Sequence, residues 1–314
     1  MNNKRKFPPL WTIPIFLTVI PRMLWAQFRN DYYGAMKLAR KFMGSAKIKR
    51  RSFQGYTPTE HDVFVCTFSK SGTYWMMQVV TQIAGKGQAE FEHIHDIVPW
   101  PENPQPQLVP LSVPTWKESP TQMRAVKTHV EAEFVPYSEA AKYVVVMRDP
   151  KDVLVSSFFF SDSIMPGLSS IGIGAWVDLF NKGEVPYGLW AEHIASFWPW
   201  RDRQNVLVLT FGEMKKDLAQ VIQKVAELMQ VELSDDEMAL VLEKSSFQYM
   251  KANEDKFEPP TPMVNDKVEL LRTGKKGEAA HHLTAEQLTS VDQAMKEHLD
   301  ALRSDFPYER YFRV

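Results

Sequence analysis

From Gly55 onward, apolar residues fall in short, nearly continuous runs separated by polar turn chemistry and by longer stretches of helical period. Four runs stand out, over residues 63–68, 123–126, 143–147 and 206–211, each rich in valine or other apolar residues. Runs of this length without polar alternation are those of strands buried on both faces. Between and after them, residues 74–84, 151–160, 189–198 and 216–229 carry the spacing of amphipathic helices. The alternation predicts an α/β fold, a central and mostly parallel sheet flanked by helices. No internal repeat is visible, and residues 56–314 read as one domain. The proline-rich stretch 99–120 and the stretch 253–271 read as long loops, which in a compact domain serve as lids or binding segments.

Residues 1–55 follow a different pattern. Lys4, Arg5 and Lys6 precede an apolar stretch over 7–20 that is similar to a signal sequence or anchor, but Pro8, Pro9, Pro14 and Pro21 interrupt it. The uninterrupted part is too short to cross ~30 Å of hydrocarbon, and the prolines break any helix repeatedly. Residues 29–51 then mix Tyr32, Met36 and Leu38 with Arg29, Lys37, Arg40, Lys41, Lys47, Lys49, Arg50 and Arg51. Such a basic amphipathic stretch fits peripheral contact with an anionic membrane through residues 7–51. It fits equally a cover packed over the protein's own substrate cleft.

Composition narrows the classes. With 314 residues, 44% hydrophobic and 24% charged, the chain is long enough for one large core. A net charge of -1, from 37 basic and 38 acidic residues, argues against a nucleic-acid partner and requires that any anionic ligand be met by locally placed cations. Cys66 is the single cysteine and lies in an apolar run, where it reads as a small buried hydrophobe. No disulfide within the chain and no glycosylation sequon are available, so the expected compartment is cytoplasmic, with membrane association left open.

The chemistry gathers where the predicted strands end. The first strand runs into Ser69, Lys70, Ser71, Gly72, Thr73, Tyr74 and Trp75 and then into a helix, a P-loop-like phosphate-binding strand-loop-helix. Backbone N–H groups at a helix N-terminus favour anions, Gly72 permits close approach, and Lys70 adds a point charge. The run fails the Gly-x4-Gly-Lys-Ser/Thr pattern, so it carries little alone. After the second strand come Lys127 and His129. After the third come Arg148, then Asp149 as an N-cap and Pro150 at the first helical position. Ligands of open parallel sheets bind beyond the carboxyl ends of the strands. Three cations and an imidazole at that edge suit a strongly anionic nucleotide and a hydroxyl awaiting deprotonation.

With these residues assembled, the chain resembles the cytosolic PAPS-dependent sulfotransferase family from about residue 67 to 284. The family's Tyr-Pro-Lys-Ser-Gly-Thr-Thr-Trp stands here from Phe68 to Trp75, and its Arg-Asn-Pro-Lys-Asp-Val-x-Val-Ser from Arg148 to Ser156. Its Lys-Ser-His matches Lys127, Thr128 and His129, and its late Arg-Lys-Gly-x-x-Gly matches Arg272, Thr273, Gly274 and Gly277. Gly183 to Trp190 is similar to its Gly-x-Val-x-Tyr-Gly-x-Trp.

The resemblance implies a donor, 3'-phosphoadenosine-5'-phosphosulfate (PAPS, leaving PAP), with no metal. Lys70, Ser71, Gly72 and Thr73 would hold the 5'-phosphosulfate and Trp75 the adenine. Arg148, Ser156, Arg272 and Gly274 would grip the 3'-phosphate, and Ser245, Phe247 and Met250 would line the adenine pocket. His129 would act as base, with Lys127 and Lys70 compensating charge, on a small, hydrophobic, hydroxylated acceptor. Tyr74, Phe211 and Thr273 are further donor-binding positions by the same resemblance, but they stand where the family has threonine, tyrosine and lysine, so donor affinity is expected to be weaker. The family dimer pattern is not matched, since Ala280, Thr284, Ala285 and Thr289 occupy its positions. Two further readings share the sheet edge: a nucleotide-dependent phosphotransferase, and a non-catalytic, membrane-associated nucleotide-binding protein.

Overall fold

A computed structural model describes residues 15–103, 105, 108–164, 167–258 and 277–312. Its centre is a sheet of β1 (Asp62–Thr67), β2 (Arg124–Thr128), β3 (Lys142–Met147) and β4 (Val206–Thr210) in the order β2-β1-β3-β4. Every neighbouring pair is parallel. The four apolar runs are these four strands, with their ends shifted by one or two residues, and two of the shifts bear on the site. β2 extends through Thr128, so Lys127 lies inside the strand and is buried within it. β4 stops at Thr210, because the Thr210 hydroxyl and the Glu213 carboxylate form a reciprocal capping box that starts a helix at Phe211.

Alternate strand residues feed two separate cores, as a pleated sheet requires. Phe64, Cys66, Tyr143, Val145 and Met147 face one core. Val63, Val65, Val144 and Val146 face the other. The second core is closed by α4 (Thr73–Ala84), α8 (Phe211–Lys216), α9 (Leu218–Met229), α10 (Asp235–Lys244) and α11 (Phe247–Ala252). The first is closed by α5 (Pro150–Ile164), α6 (Gly172–Asn181), α7 (Trp190–Phe197), α12 (Ala279–His282) and α13 (Ala285–Ala301).

Residues 20–52 form α1 (Ile20–Phe28), α2 (Tyr32–Met43) and α3 (Ala46–Ser52), and they pack on the first core through Ala26, Tyr32, Ala35 and Met36. Two long-range contacts hold them. Arg40 Nε donates to the Gly183 carbonyl at 2.8 Å. Lys49 and Glu131 form a buried ion pair at 2.5 Å, just beyond the end of β2. Among the described residues, no helix is long and apolar enough to cross a membrane.

Candidate active site

The loop between β1 and α4 is built from two left-handed residues. Lys70 has φ 66° and Gly72 has φ 94°. Gly72 is required twice over, since a Cβ there would lie 2.8 Å from the Phe211 ring. The Ser71 hydroxyl is buried with no hydrogen-bond partner among the described residues, and so is that of Ser245. Buried polar atoms are nearly always paired, so each hydroxyl is a candidate position for a ligand atom. Thr73 Oγ1 lies 2.7 Å from Thr67 Oγ1, which locks the first turn of α4 onto β1. The result is a row of backbone N–H groups at the start of a 12-residue helix, fit to hold a phosphate or sulfate.

Neighbouring elements are tied to this loop. Arg148 Nη1 donates to the Lys70 carbonyl at 2.8 Å, and its guanidinium lies 4.5 Å from the centre of the Phe211 ring. Asp149 caps α5 as the sequence predicts, its Oδ1 accepting from the Lys151 amide at 2.9 Å. Burial pushes the Asp149 carboxyl up to about 6. Ser156 lies on α5, half-buried, nearly two turns from its start. Trp75 Nε1 donates to the Ser245 carbonyl at 2.7 Å, and the Trp75 ring meets Phe211 edge-on at 5.7 Å. Lys215 Nζ lies 6.0 Å from the Trp75 ring and 5.8 Å from the Phe247 ring, with Met250 buried behind. Trp75, Phe211, Ser245, Phe247 and Met250 thus form one wall beside the phosphate loop.

The basic end of β2 is more deeply buried. Lys127 Nζ sits 3.4 Å from the centre of the Trp100 ring and 4.2 Å from that of Tyr74, a cation between two aromatic rings. Burial lowers the Lys127 pKa well below its ordinary value, while Glu102 opposes the shift. His129 Nδ1 lies 2.8 Å from the Thr67 carbonyl, which can only accept. The proton therefore sits on Nδ1, and Nε2 carries the lone pair. Burial, followed by the Lys127 charge, holds His129 well below its ordinary pKa, so the imidazole is neutral.

Two residues in this region carry no signature in the sequence. The Glu102 carboxylate accepts from the His129 amide at 2.5 Å, which fixes the backbone of the imidazole. Tyr74 donates its hydroxyl to His95 Nε2 at 3.3 Å, because His95 Nδ1 is committed to the Val98 carbonyl at 2.9 Å. The Tyr74 hydroxyl is thereby engaged away from the loop backbone.

An apolar cavity of about 150 Å³ opens beside His129, lined by Phe68, Phe160, Trp176 and Tyr187 and roofed by Met23 and Met36. The Tyr187 ring meets His129 at 4.9 Å. Lys70 Nζ stands 3.9 Å from the Phe160 ring, so the phosphate loop and the cavity adjoin. Of the other aromatics in the sequence, Trp190 belongs to the core with Phe306, Tyr308 and Phe312, and Trp116 stacks on His61.

Arg272, Thr273 and Gly274 lie outside the described residues. Asp152, at the start of α5, accepts from the amides of Gly277 at 3.0 Å and Ala279 at 3.1 Å. The chain that follows Arg272 to Gly274 is therefore clamped to the helix that carries Ser156.

Comparison with known proteins agrees with this geometry. A family model described as the sulfotransferase domain matches residues 60–303. Sulfotransferase 2A6 of Mus musculus is 33% identical over 266 residues, covering 80% of this chain and 88% of its own. Sulfotransferase 2A1 of Homo sapiens is 31% identical over 257 residues, with the same coverage of 80% and 88%. Among solved structures, mouse sulfotransferase SULT7A1 complexed with PAP superposes with a TM-score of 0.62 at 27% identity, over 82% of this chain and 92% of that one. A family model over most of the chain and relatives that span most of both chains lead to one assignment, with which the glycine loop after β1 and the neutral histidine beside the cavity wall at Tyr187 are consistent: the chain belongs to the sulfotransferase family.

Proposed function

We propose that this chain transfers the sulfuryl group of PAPS to the hydroxyl of a small, apolar acceptor held in the cavity beside His129, with His129 Nε2 as the base. The family sets the reaction class, and the observation that carries the residue assignment is the His129 tautomer. With Nδ1–H donated to the Thr67 carbonyl, Nε2 is free to take the proton of an acceptor O–H. The acceptor oxygen then bonds to sulfur as the bond from sulfur to the 5'-phosphate oxygen breaks, and the electron pair leaves with PAP. Lys127, inside β2, compensates charge on the transferring group. Lys70 and the N–H groups of Gly72 and Thr73 compensate the charge that accumulates on the departing phosphate, while the Ser71 N–H closes the loop onto the Phe68 carbonyl. Ser71 and Ser245 supply hydroxyls that have no partner to give up among the described residues.

For the rest of the donor, Arg148 is the 3'-phosphate ligand at the end of β3, with Ser156 on the helix that follows. Trp75 and Phe211 form the adenine wall with Ser245, Phe247 and Met250. Tyr74 does not bind the donor through its hydroxyl, which His95 holds, and its ring instead shields Lys127. α1 and α2 form the roof of the acceptor cavity through Met23, Met36 and Ala39, which makes them part of the same working unit as the sheet. The lining of Phe68, Phe160, Trp176 and Met36 selects an apolar alcohol, a class to which the substrate in the name of one relative, the 3-beta-hydroxysteroid sulfotransferase of Cavia porcellus, belongs.

The test is His129→Ala, assayed with a panel of hydroxylated acceptors for PAP release and by calorimetry for PAP binding. A positioned base contributes about 100- to 10,000-fold to rate, so transfer falls by that factor while PAP affinity stays within a few-fold. Near-full transfer by the variant overturns the base assignment.

A further inference from the structure

α1 is apolar on two faces. Inward, Ala26 is buried in the core and Met23 roofs the acceptor cavity. Outward, Leu24, Trp25 and Phe28 stand 48%, 61% and 86% exposed, with Leu17 at 71% in the turn before. Together with the exposed Pro21, residues 24, 25 and 28 follow the i, i+3, i+4, i+7 spacing of one helical stripe. Single exposed hydrophobes need no explanation, but a stripe headed by tryptophan and phenylalanine does.

Its surroundings are cationic. Arg22, Arg29, Lys37, Lys41, Lys47, Arg50 and Arg51 are exposed on the three N-terminal helices and the turns between them, and Asp31 is the one acidic residue between Leu17 and Ser52. The Arg29 guanidinium lies over the Trp25 ring at 4.8 Å, so cation and apolar anchor share one surface. This concentration is local, since the whole chain has a net charge of -1. A second copy of the chain would bring the same uncompensated positive charge against itself. An apolar stripe flanked by arginine and lysine instead matches an interfacial helix on anionic lipid, where the stripe enters the boundary of the acyl region and the cations meet headgroup phosphates.

We propose that the outward face of α1 docks on an anionic phospholipid bilayer, which sets the roof of the acceptor cavity at the lipid surface so that apolar alcohols enter directly from the bilayer. The delivery step rests on the sulfotransferase reading above, whereas the docking does not.

The experiment is vesicle flotation of the full chain with phosphatidylcholine alone and with added phosphatidylserine, beside Trp25→Glu/Phe28→Glu, neither residue lining the site. The wild type floats with the phosphatidylserine vesicles at least about tenfold more than with phosphatidylcholine, and the double variant or raised salt removes the gain. The thermal shift produced by PAP is retained in the variant, which shows that it folds and reports on the donor site separately. With an alcohol embedded in the vesicles the variant is slowed, while with a water-soluble phenol it is not. The proposal is overturned if the wild type does not float or if the variant floats equally. It is also overturned if light scattering shows a wild-type dimer that the variant abolishes, or if flotation appears only after residues 1–14 are removed, since those residues then cover the stripe.

Discussion

Gly72→Ala probes the phosphate loop at its tightest point. The new Cβ would lie 2.8 Å from Phe211 Cδ2 and 3.3 Å from Cε2, closer than carbon atoms approach without displacement. The backbone adds its own cost, because φ is +94°, a region that penalises a residue with a Cβ by about 1–2 kcal/mol. Phe211 must move, and it is held by the Trp75 edge at 5.7 Å and the Arg148 guanidinium at 4.5 Å. Loss of an aromatic pair and a cation–π contact costs about 0.5–1.5 kcal/mol each. The combined penalty is roughly 2–5 kcal/mol, and the part that falls on the bound state weakens PAP by about 30-fold or more. Calorimetric titration with PAP, alongside thermal melting with and without PAP, measures both parts. Gly72→Ala/Phe211→Ala separates them, since it removes the clash and keeps the backbone strain, so its loss of stability is smaller than the two single losses added together. A Gly72→Ala protein with wild-type melting and PAP affinity within a few-fold of wild type refutes the reasoning.

Two other outcomes follow from buried groups. Ser71→Ala leaves the melting temperature of the free protein unchanged or slightly higher, because the hydroxyl has no partner among the described residues, yet it weakens PAP binding by about tenfold, as the loss of a hydrogen bond to a charged group implies. Equal stability and equal PAP affinity would remove Ser71 from the site. His95, His129 and His193 are all held below the ordinary 6.5 by burial, His193 to about 3. Each takes up a proton near 6.5 when unfolded and not when folded, so the unfolded state binds more protons and stability falls as pH drops below 6.5. Three such groups give a slope of up to about 4 kcal/mol per pH unit. Asp149, which burial pushes up to about 6, opposes this from about pH 6 downward, and Glu102, also raised by burial, acts in the same sense, so the slope is flattened. Melting followed from pH 8 to pH 5 reads the sum, and a flat or rising melting temperature contradicts it.

The sheet is legible because parallel strands buried on both faces have to be apolar throughout, and Val63, Val65, Val144 and Val146 say so without reference to anything distant. The cap at Asp149 is legible for the same local reason. Lys127 misleads at the strand end, because a lysine reads as surface, whereas here two aromatic rings and Glu102 receive it inside β2. Glu102 and His95 sit in and before a stretch that reads only as a proline-rich loop, and their contacts to His129 and Tyr74 span 27 and 21 residues. α13 is also absent from the sequence reading. Its core-facing Val291, Met295 and Leu299 are spaced among charged residues, and the buried Asp292 is hidden by its pairing with Lys151, 141 residues earlier. The roof formed by α1 and α2 could not be distinguished from a membrane anchor by pattern, since one stretch of chain serves a cavity with one face and exposes apolar residues on the other.

The donor site underlies every assignment made for this chain, and titration with PAP and with ATP, each with and without magnesium, tests it most directly. PAP binds without magnesium and displaces PAPS competitively, while ATP binds far more weakly whether or not magnesium is present. Magnesium-dependent binding of ATP with no binding of PAP contradicts the account.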